Sequence, residues 1–501
     1  MLLKGYIYKK ISERGRQNKT AFIEIENGRS PENSKSFTYG DIKNRVDSLI
    51  NYFGTNTKKI LLLVHGGIIP SILWITALSG GYDLIPLPSD IPMLELKDLI
   101  NYYKPDYVIE SPTIEYKLNE GHYKKLTYND IYKISEQKVE NIKVNGGGYV
   151  YLQTSGSTGK PKVCHLPEFN LTNAAINVVE LQNTNEKDIC FNPLPLYHIN
   201  APVIALFSTM ISGGTMVHVN KFSLSKFIKT IKLYKITWLN LVPTIINILK
   251  ESNNPKKLKG VRFARSGTSS LGAPSMASFE EKYGVPIIET YGMTETCTQI
   301  TANDLRKRKV KSVGIPRGIE LVISNKDNKK IKELPFFEIG EICVKGKSVI
   351  SSYEDNIGSE SFTNGYFRTG DLGYKDEEGY VFITGRKKDI IIYKGETIYP
   401  KEIEEIIIQH PKVIEVAVTG RPNSMYGETV VAFLVIRKGD NILNEELDTW
   451  VSQRLRRLEH PIEYIFLDTL PKLRSGKINK LILKKQLQNA GEQESQHREK
   501  I

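Results

Sequence analysis

A chain of 501 residues, 40% apolar and 25% charged, is too long for one compact domain and has the composition of a soluble globular protein of two or three. No window holds the ~18 unbroken apolar residues of a membrane helix. Met1–Gly15 carries lysines and arginines without an apolar core or cleavage site, so the expectation is cytoplasmic. The net charge of +13 raises nucleic acid as a partner. However, the densest basic run, Arg306-Lys307-Arg308-Lys309 with Lys311, has no interleaved aromatics for base stacking. A solvated loop and no nucleic-acid partner are expected there, with a general attraction for small polyanions.

In chain order, Lys59–His65 (KILLLVH) reads as a buried strand, followed by Gly66-Gly67 and an apolar helical run from Ile68 to Ala77. The rhythm returns at Thr237–Leu241, Gly260–Arg265 and Pro286–Tyr291, which predicts an α/β protein with largely parallel sheets. Past about residue 310, short strands with glycine turns predict a small β-rich subdomain (Gly318–Ser324, Gly340–Val344, Gly379–Ile383). A boundary is predicted near Gly385–Asp389. After it comes a small α+β domain: strand Ile390–Tyr393, helix Pro400–Gln409, strands Val413–Thr419 and Thr429–Ile436, and a helix around Leu443–Arg456. The polar tail from Gln486 is expected to fray. Cys164, Cys190, Cys297 and Cys343 are far apart and lack metal-ligand spacing, so they read as small buried hydrophobes.

The most informative string is Tyr151–Lys162, YLQTSGSTGKPK. A strand at Tyr149–Leu152 runs into Thr154, Ser155, Ser157 and Thr158 as hydroxyl donors. Gly156 and Gly159 free the backbone to wrap an anion, and Lys160 and Lys162 add charge. It is not a Walker A loop, because the glycines are three apart and proline follows Lys160.

This string resembles the phosphate-binding loop of the adenylate-forming superfamily, which includes acyl-CoA synthetases, nonribosomal peptide adenylation domains and luciferases. The likeness runs over roughly residues 20–485, with further motifs in family order. It implies a large N-terminal AMP-binding domain of parallel-sheet layers plus a β subdomain (1–385), a hinge (386–388), a mobile α+β lid (389–485) and a polar tail (486–501). In ETYGMTET the resemblance makes Tyr291 the adenine platform, Gly292 a pocket residue, Thr294 a donor to the α-phosphate and Glu295 the Mg²⁺ ligand. Gly267, Thr268, Ser269 and Ser270 match the family's small-residue stretch along the adenine and acyl pockets. In FRTGDLG, Asp371 is expected in a glycine-flanked turn, taking both ribose hydroxyls. Arg386 is implied on ribose or phosphate, Lys388 as the pivot and Gly395 along the pantetheine tunnel, while Lys387 reads as solvated linker. Lys477, in PKLRSGKINK, is implied as the lid ammonium that bridges substrate carboxylate and α-phosphate.

His198, in PLYHINA, matches the histidine at the mouth of the acyl pocket in CoA ligases. Amino-acid adenylation domains usually place an aspartate here, whereas no acid occurs between Cys190 and Ser223, which argues against an α-amino acid substrate. Val163 and Ala201 stand where glycines are common in the family. The Trp238–Leu249 and Phe263–Thr296 stretches look most like the oxalate and medium- or long-chain acyl-CoA ligase branches. The implied reaction converts a small carboxylic acid and ATP to acyl-AMP, then transfers the acyl group to coenzyme A. A stand-alone enzyme loading the phosphopantetheine arm of a carrier protein is the alternative. A non-catalytic scaffold would be expected to have lost Lys477, Glu295 or Asp371, and all three are present.

Overall fold

The computed structural model describes residues 5–113, 121–140, 142–154, 162–252, 257–267, 271–325, 330–354, 358–423, 425–473 and 477–488. The chain divides into two compact units. One comprises Met1–Leu271, Ser275–Leu321 and Val344–Phe367; the other comprises Gly272–Pro274, Val322–Cys343 and Arg368–Ile501.

The first strands are β1 (Thr20–Ile25), β2 (Lys35–Thr38), β3 (Lys59–Val64), β4 (Asp83–Pro88) and β5 (Tyr107–Glu110). Then come β6 (Lys124–Thr127), β7 (Tyr149–Thr154), β8 (Lys162–Pro167), β9 (Ile189–Asn192) and β10 (Thr215–Val219). Last in this group are β11 (Trp238–Leu241), β12 (Phe263–Ser266), β13 (Ile287–Tyr291), β14 (Thr301–Ala302) and β15 (Ile315–Pro316). They build a nine-stranded sheet of order β15-β14-β13-β12-β11-β9-β10-β1-β2 and a six-stranded sheet of order β6-β5-β3-β4-β7-β8. The run from β13 to β1 is parallel throughout, as is β6 to β7; β2, β8 and the β14–β15 pair are antiparallel additions at the edges.

Parallel strands covered on both faces read as continuous apolar runs, and Ile60, Leu61, Leu62 and Leu63 of β3 are all fully buried. The helix that follows, Ile68–Gly80, is buried at every one of its residues and ends on Gly81 at φ 82°. It is apolar all round because nothing of it faces water. Two T-Y-x-D boxes start helices directly after edge strands. Thr38 and Asp41 cap Tyr39–Phe53, and Thr127 and Asp130 cap Tyr128–Ser135, each pair exchanging side-chain and backbone bonds.

The β-rich segment consists of β16 (Ile319–Ser324), β17 (Gly340–Gly346), β18 (Phe362–Thr363), β19 (Tyr366–Lys375) and β20 (Val381–Arg386), in order β16-β17-β19-β18 with β20 also on β19. The C-terminal sheet has β21 (Ile391–Tyr393), β22 (Glu396–Ile398), β23 (Val413–Asn423), β24 (Gly427–Ile436) and β25 (Glu463–Phe466). The β23–β24 hairpin alternates strictly. Val416, Val418, Val430, Ala432 and Leu434 pack with Ile403, Ile407 and Leu447, while Ala417, Val431 and Phe433 pack with Leu470, Leu483 and Leu487. The strand expected at Val413–Thr419 extends to Asn423, and β25, parallel to β24, was not expected.

All four cysteines are free and buried. The basic run is not uniformly solvated: Arg308 pairs with Glu280 and donates to the Ile287 carbonyl at 2.8 Å. Among the described residues, no helix is long and apolar enough to cross a membrane.

Candidate active site

In the first unit the expected residues sit where parallel strands end. β7 and β8 pair so that Thr154 stands opposite Lys162, and the Thr154 hydroxyl donates to the Lys162 carbonyl at 3.3 Å. The residues joining these strands, among them Ser155, Gly156, Ser157, Thr158, Gly159 and Lys160, lie outside the described residues, as does Thr268. Lys162 leaves β8 with its ammonium 4.9 Å from the centre of the Tyr353 ring and 3.6 Å from Glu360.

Tyr291 closes β13, and its carbonyl accepts from the Ile300 amide at 2.8 Å. Between them the chain turns tightly. Thr294–Thr296 form a 3₁₀ turn, then Cys297 and Thr298 take φ of 52° and 96°, rare for residues with a side chain. This reversal places the Thr298 carbonyl 1.3 Å from where a Cβ on Gly292 would be, so only glycine fits.

Glu295 is 9% exposed and accepts a 2.8 Å hydrogen bond from the Tyr353 hydroxyl. Its carbonyl takes the Ile350 amide at 2.9 Å. Burial first, then the Glu295 charge, push the Tyr353 hydroxyl far up, which keeps it a donor. Sequence reading missed Tyr353, a lone tyrosine 58 positions away in no motif. Burial, and secondarily the same charge, also raise the Cys164 thiol.

Gly267 follows β12, and its missing side chain would lie 3.1 Å from the Thr290 hydroxyl and 3.5 Å from the Asn200 amide nitrogen. His198 is half-buried in the segment after β9, its ring centroid 4.2 Å from that of Tyr197.

In the second unit two expectations are corrected. Asp371 is not in a turn: it lies within β19, 5% exposed, directly across from Arg386 on β20. Gly370 at φ 73° bends the strand without ending it. The Arg386 Nε meets the Asp371 carboxylate at 2.9 Å, so the two residues assigned to the ribose end hold each other. Lys387 is not solvated linker either. It reaches Glu341 at 3.2 Å, a buried carboxylate that also takes Arg368 Nε and Nη2 at 3.0 and 2.7 Å.

Lys388 sits in the 3₁₀ turn Lys387–Asp389, and desolvation lowers its ammonium from the usual lysine range. Gly395, at φ 83°, and Lys394, at φ 54°, form the two-residue turn between β21 and β22, closed by the Tyr393–Glu396 pair. The Lys394 ammonium lies 5.1 and 4.7 Å from the Tyr393 and Tyr426 rings. Lys477 is exposed, and its carbonyl accepts from the Leu473 amide at 2.8 Å.

The first unit thus presents polar groups after its parallel strands with a backed carboxylate, and the second an acid–guanidinium pair and exposed lysines. Residues 10–354 match the AMP-binding enzyme family, and residues 402–477 match the AMP-binding enzyme C-terminal domain. The chain is 38% identical over 337 residues to a sulfoacetate–CoA ligase of Cupriavidus necator (66% of each chain). It is 32% identical over 392 residues to an oxalate–CoA ligase of Saccharomyces cerevisiae (76% of this chain, 70% of that one). The fold superposes with a TM-score of 0.82 and 26% identity on the o-succinylbenzoate–CoA synthetase MenE of Bacillus subtilis, solved with its acyl-adenylate intermediate (97% of this chain, 98% of that one). The chain belongs to the AMP-binding enzymes, the adenylate-forming superfamily, and is of the acyl-CoA ligase type.

Proposed function

We propose that the chain's residues carry out the two half-reactions of an AMP-forming acid–thiol ligase. The enzyme activates a carboxylic acid with MgATP and passes the acyl group to coenzyme A. In the first half a carboxylate oxygen bonds to the α-phosphorus and the bond to pyrophosphate breaks, giving acyl-AMP. In the second the thiolate attacks the acyl carbon and AMP leaves. The protein's work is to hold anions together and offset their repulsion.

Glu295 is the single observation that carries this reading: a buried carboxylate, one oxygen held by Tyr353, in the 3₁₀ turn that follows a parallel strand. Magnesium fits that donor. A hard carboxylate oxygen beside nucleotide phosphates is the usual way the ion is held, and it supplies neutralisation of phosphate charge. Tyr291 stacks on adenine, Thr294 and the 154–160 segment hold phosphates, and Asp371 with Arg386 takes the ribose. Lys477 neutralises charge as the acyl-phosphate bond forms. Residues 389–485 act as a lid pivoting at Lys388, and Gly395 lines the path for pantetheine. The enzyme works in the cytoplasm, with reduced thiols.

Coenzyme A is favoured over a carrier protein because the matched relatives are CoA ligases by name. Those relatives act on sulfoacetate and oxalate, each a two-carbon acid with a second anionic group, and a small acid of that kind is the substrate class for this chain. Acid-dependent pyrophosphate release from MgATP tests the reading. Signal with an acid and its loss in Lys477→Ala support it; no signal with any acid would end it.

A further inference from the structure

The parallel register of the nine-stranded sheet lines up five buried polar side chains. Arg265 on β12 pairs with Asn240 on β11; Asn192 on β9 pairs with His218 on β10; His218 pairs with Glu24 on β1. None is more than 8% exposed. Paired residues of parallel strands share a face, and the side chains close the gap between β9 and β11, Asn240 Nδ2 donating to Asn192 Oδ1 at 2.9 Å. Interior strands of such sheets are ordinarily apolar. A polar row across five of them calls for an explanation.

The hydrogen bonds run in one direction. Asn192 Nδ2 lies 3.0 Å from His218 Nδ1 and donates to the Leu194 carbonyl at 3.0 Å. Its Oδ1 is therefore the group that meets Asn240. Asn240 Nδ2 in turn also donates to Asn200 Oδ1 at 2.9 Å. With its oxygen so engaged, Asn200 has its Nδ2 left as the donor end, 3.5 Å from the place where a side chain on Gly267 would begin. The cost of this aim is visible: Asn240 Oδ1 is buried with no hydrogen-bond partner among the described residues. Arg265 brings a buried guanidinium to the same row. It donates to the neutral Gln299 at 2.8 Å, and no carboxylate among the described residues pairs with it.

Resting on the proposed function, we infer that Asn200 is the specificity-determining residue of the acyl pocket. Its amide nitrogen donates to a second anionic group on the acid, a carboxylate or sulfonate. Asn240, Asn192 and His218 are positioning residues that fix which end of the Asn200 amide faces the substrate. Arg265 makes the surroundings favourable to negative charge. A hydrocarbon tail entering the same place would leave the Asn200 donor unpaired, and sites built around hydrogen bonds reject such analogues strongly.

The test compares kcat/KM for pyrophosphate release with oxalate, malonate, succinate and sulfoacetate against acetate, propionate and butyrate. Wild type, Asn200→Ala, Asn240→Leu and Asn240→Gln are measured, with the KM for ATP in parallel. The wild type is expected to prefer a two-anion acid over its matched monoacid by about 100-fold or more. Asn200→Ala should cut that preference at least tenfold through the acid's KM, with the KM for ATP unchanged. Asn240→Leu should do the same without touching substrate, and Asn240→Gln should restore part of it. The inference is overturned if the wild type turns over a monoacid best, which leaves adenylation standing. It is also overturned if both Asn200→Ala and Asn240→Leu keep the wild-type ratio while the KM for ATP is normal. No release with any acid would remove the adenylation reading and this inference together.

Discussion

The two units hold the residues proposed for the site by different means. In the first, each lies in the segment that follows a parallel strand and is held by a neighbour: Glu295 by the Tyr353 hydroxyl, Gly292 by the Thr298 carbonyl, Asn200 by the Asn240 amide. In the second, only Asp371 is buried, while Gly395 occupies an open turn and Lys477 is exposed. The first arrangement gives precision and makes substitutions costly to the fold. The second leaves groups whose removal should cost little stability, so any role they have rests on their charge or shape.

The sharpest way to break this contrast is Lys477→Ala. An exposed lysine should be removable without loss of stability, yet acid-dependent pyrophosphate release should fall by about 10²–10³-fold. A thermal melt beside the kinetics decides it; a large drop in Tm would place Lys477 with the structural residues. Next comes a matched pair of glycines. Gly292→Ala must push against backbone at 1.3 Å and should destabilise by about 3 kcal/mol or more. Gly395→Ala meets nothing within 4 Å and carries only the left-handed backbone penalty, about 1–2 kcal/mol. Urea titrations of the two variants should keep that order, with Gly395→Ala losing thioester formation before adenylation.

The third prediction concerns pH and the buried row. Burial lowers the His218 imidazole from 6.5 to about 4, so the unfolded chain takes up the proton first as pH falls. Its contribution is fully present above pH 6.5 and is lost between 6.5 and 4, up to about 3 kcal/mol. Stability of His218→Gln, measured by denaturant titration across that range, should fall less steeply than that of wild type. The smallest kinetic effect is expected at Arg386→Gln. This half-exposed partner of Asp371 should cost under about 1 kcal/mol, while the KM for ATP rises about tenfold, near the value of one charge-assisted bond.

Much of the frame was legible because it rests on local signals. The apolar run of β3, the glycines after it and the change to short strands beyond residue 310 all have direct physical readings. Asp371 was misplaced because glycines on either side of an acid signal a turn, and only the pairing with β20 shows that Gly370 merely bends a strand. Lys387 was misread because its partner, Glu341, is 46 residues away. The amide row did leave a trace. ICFN, WLNL and TMVHV each carry a polar amide or imidazole residue at or next to the C-terminal end of a short buried strand. Such single residues gain meaning only once register sets them side by side. Tyr353 left no trace at all.

One consequence of the topology concerns the ribosome. β1 is an interior strand of its sheet, one in from the edge, yet its parallel neighbour β10 lies about 190 residues downstream. At ~5–20 residues per second, synthesis alone imposes a wait of roughly 10–40 s before that pairing can form. Over the same interval the helix Ile68–Gly80, which has no water-facing side, has emerged without its full covering. The first unit therefore passes through its most aggregation-prone moment during translation, and slower synthesis or fewer chaperones should lower its yield before altering its activity.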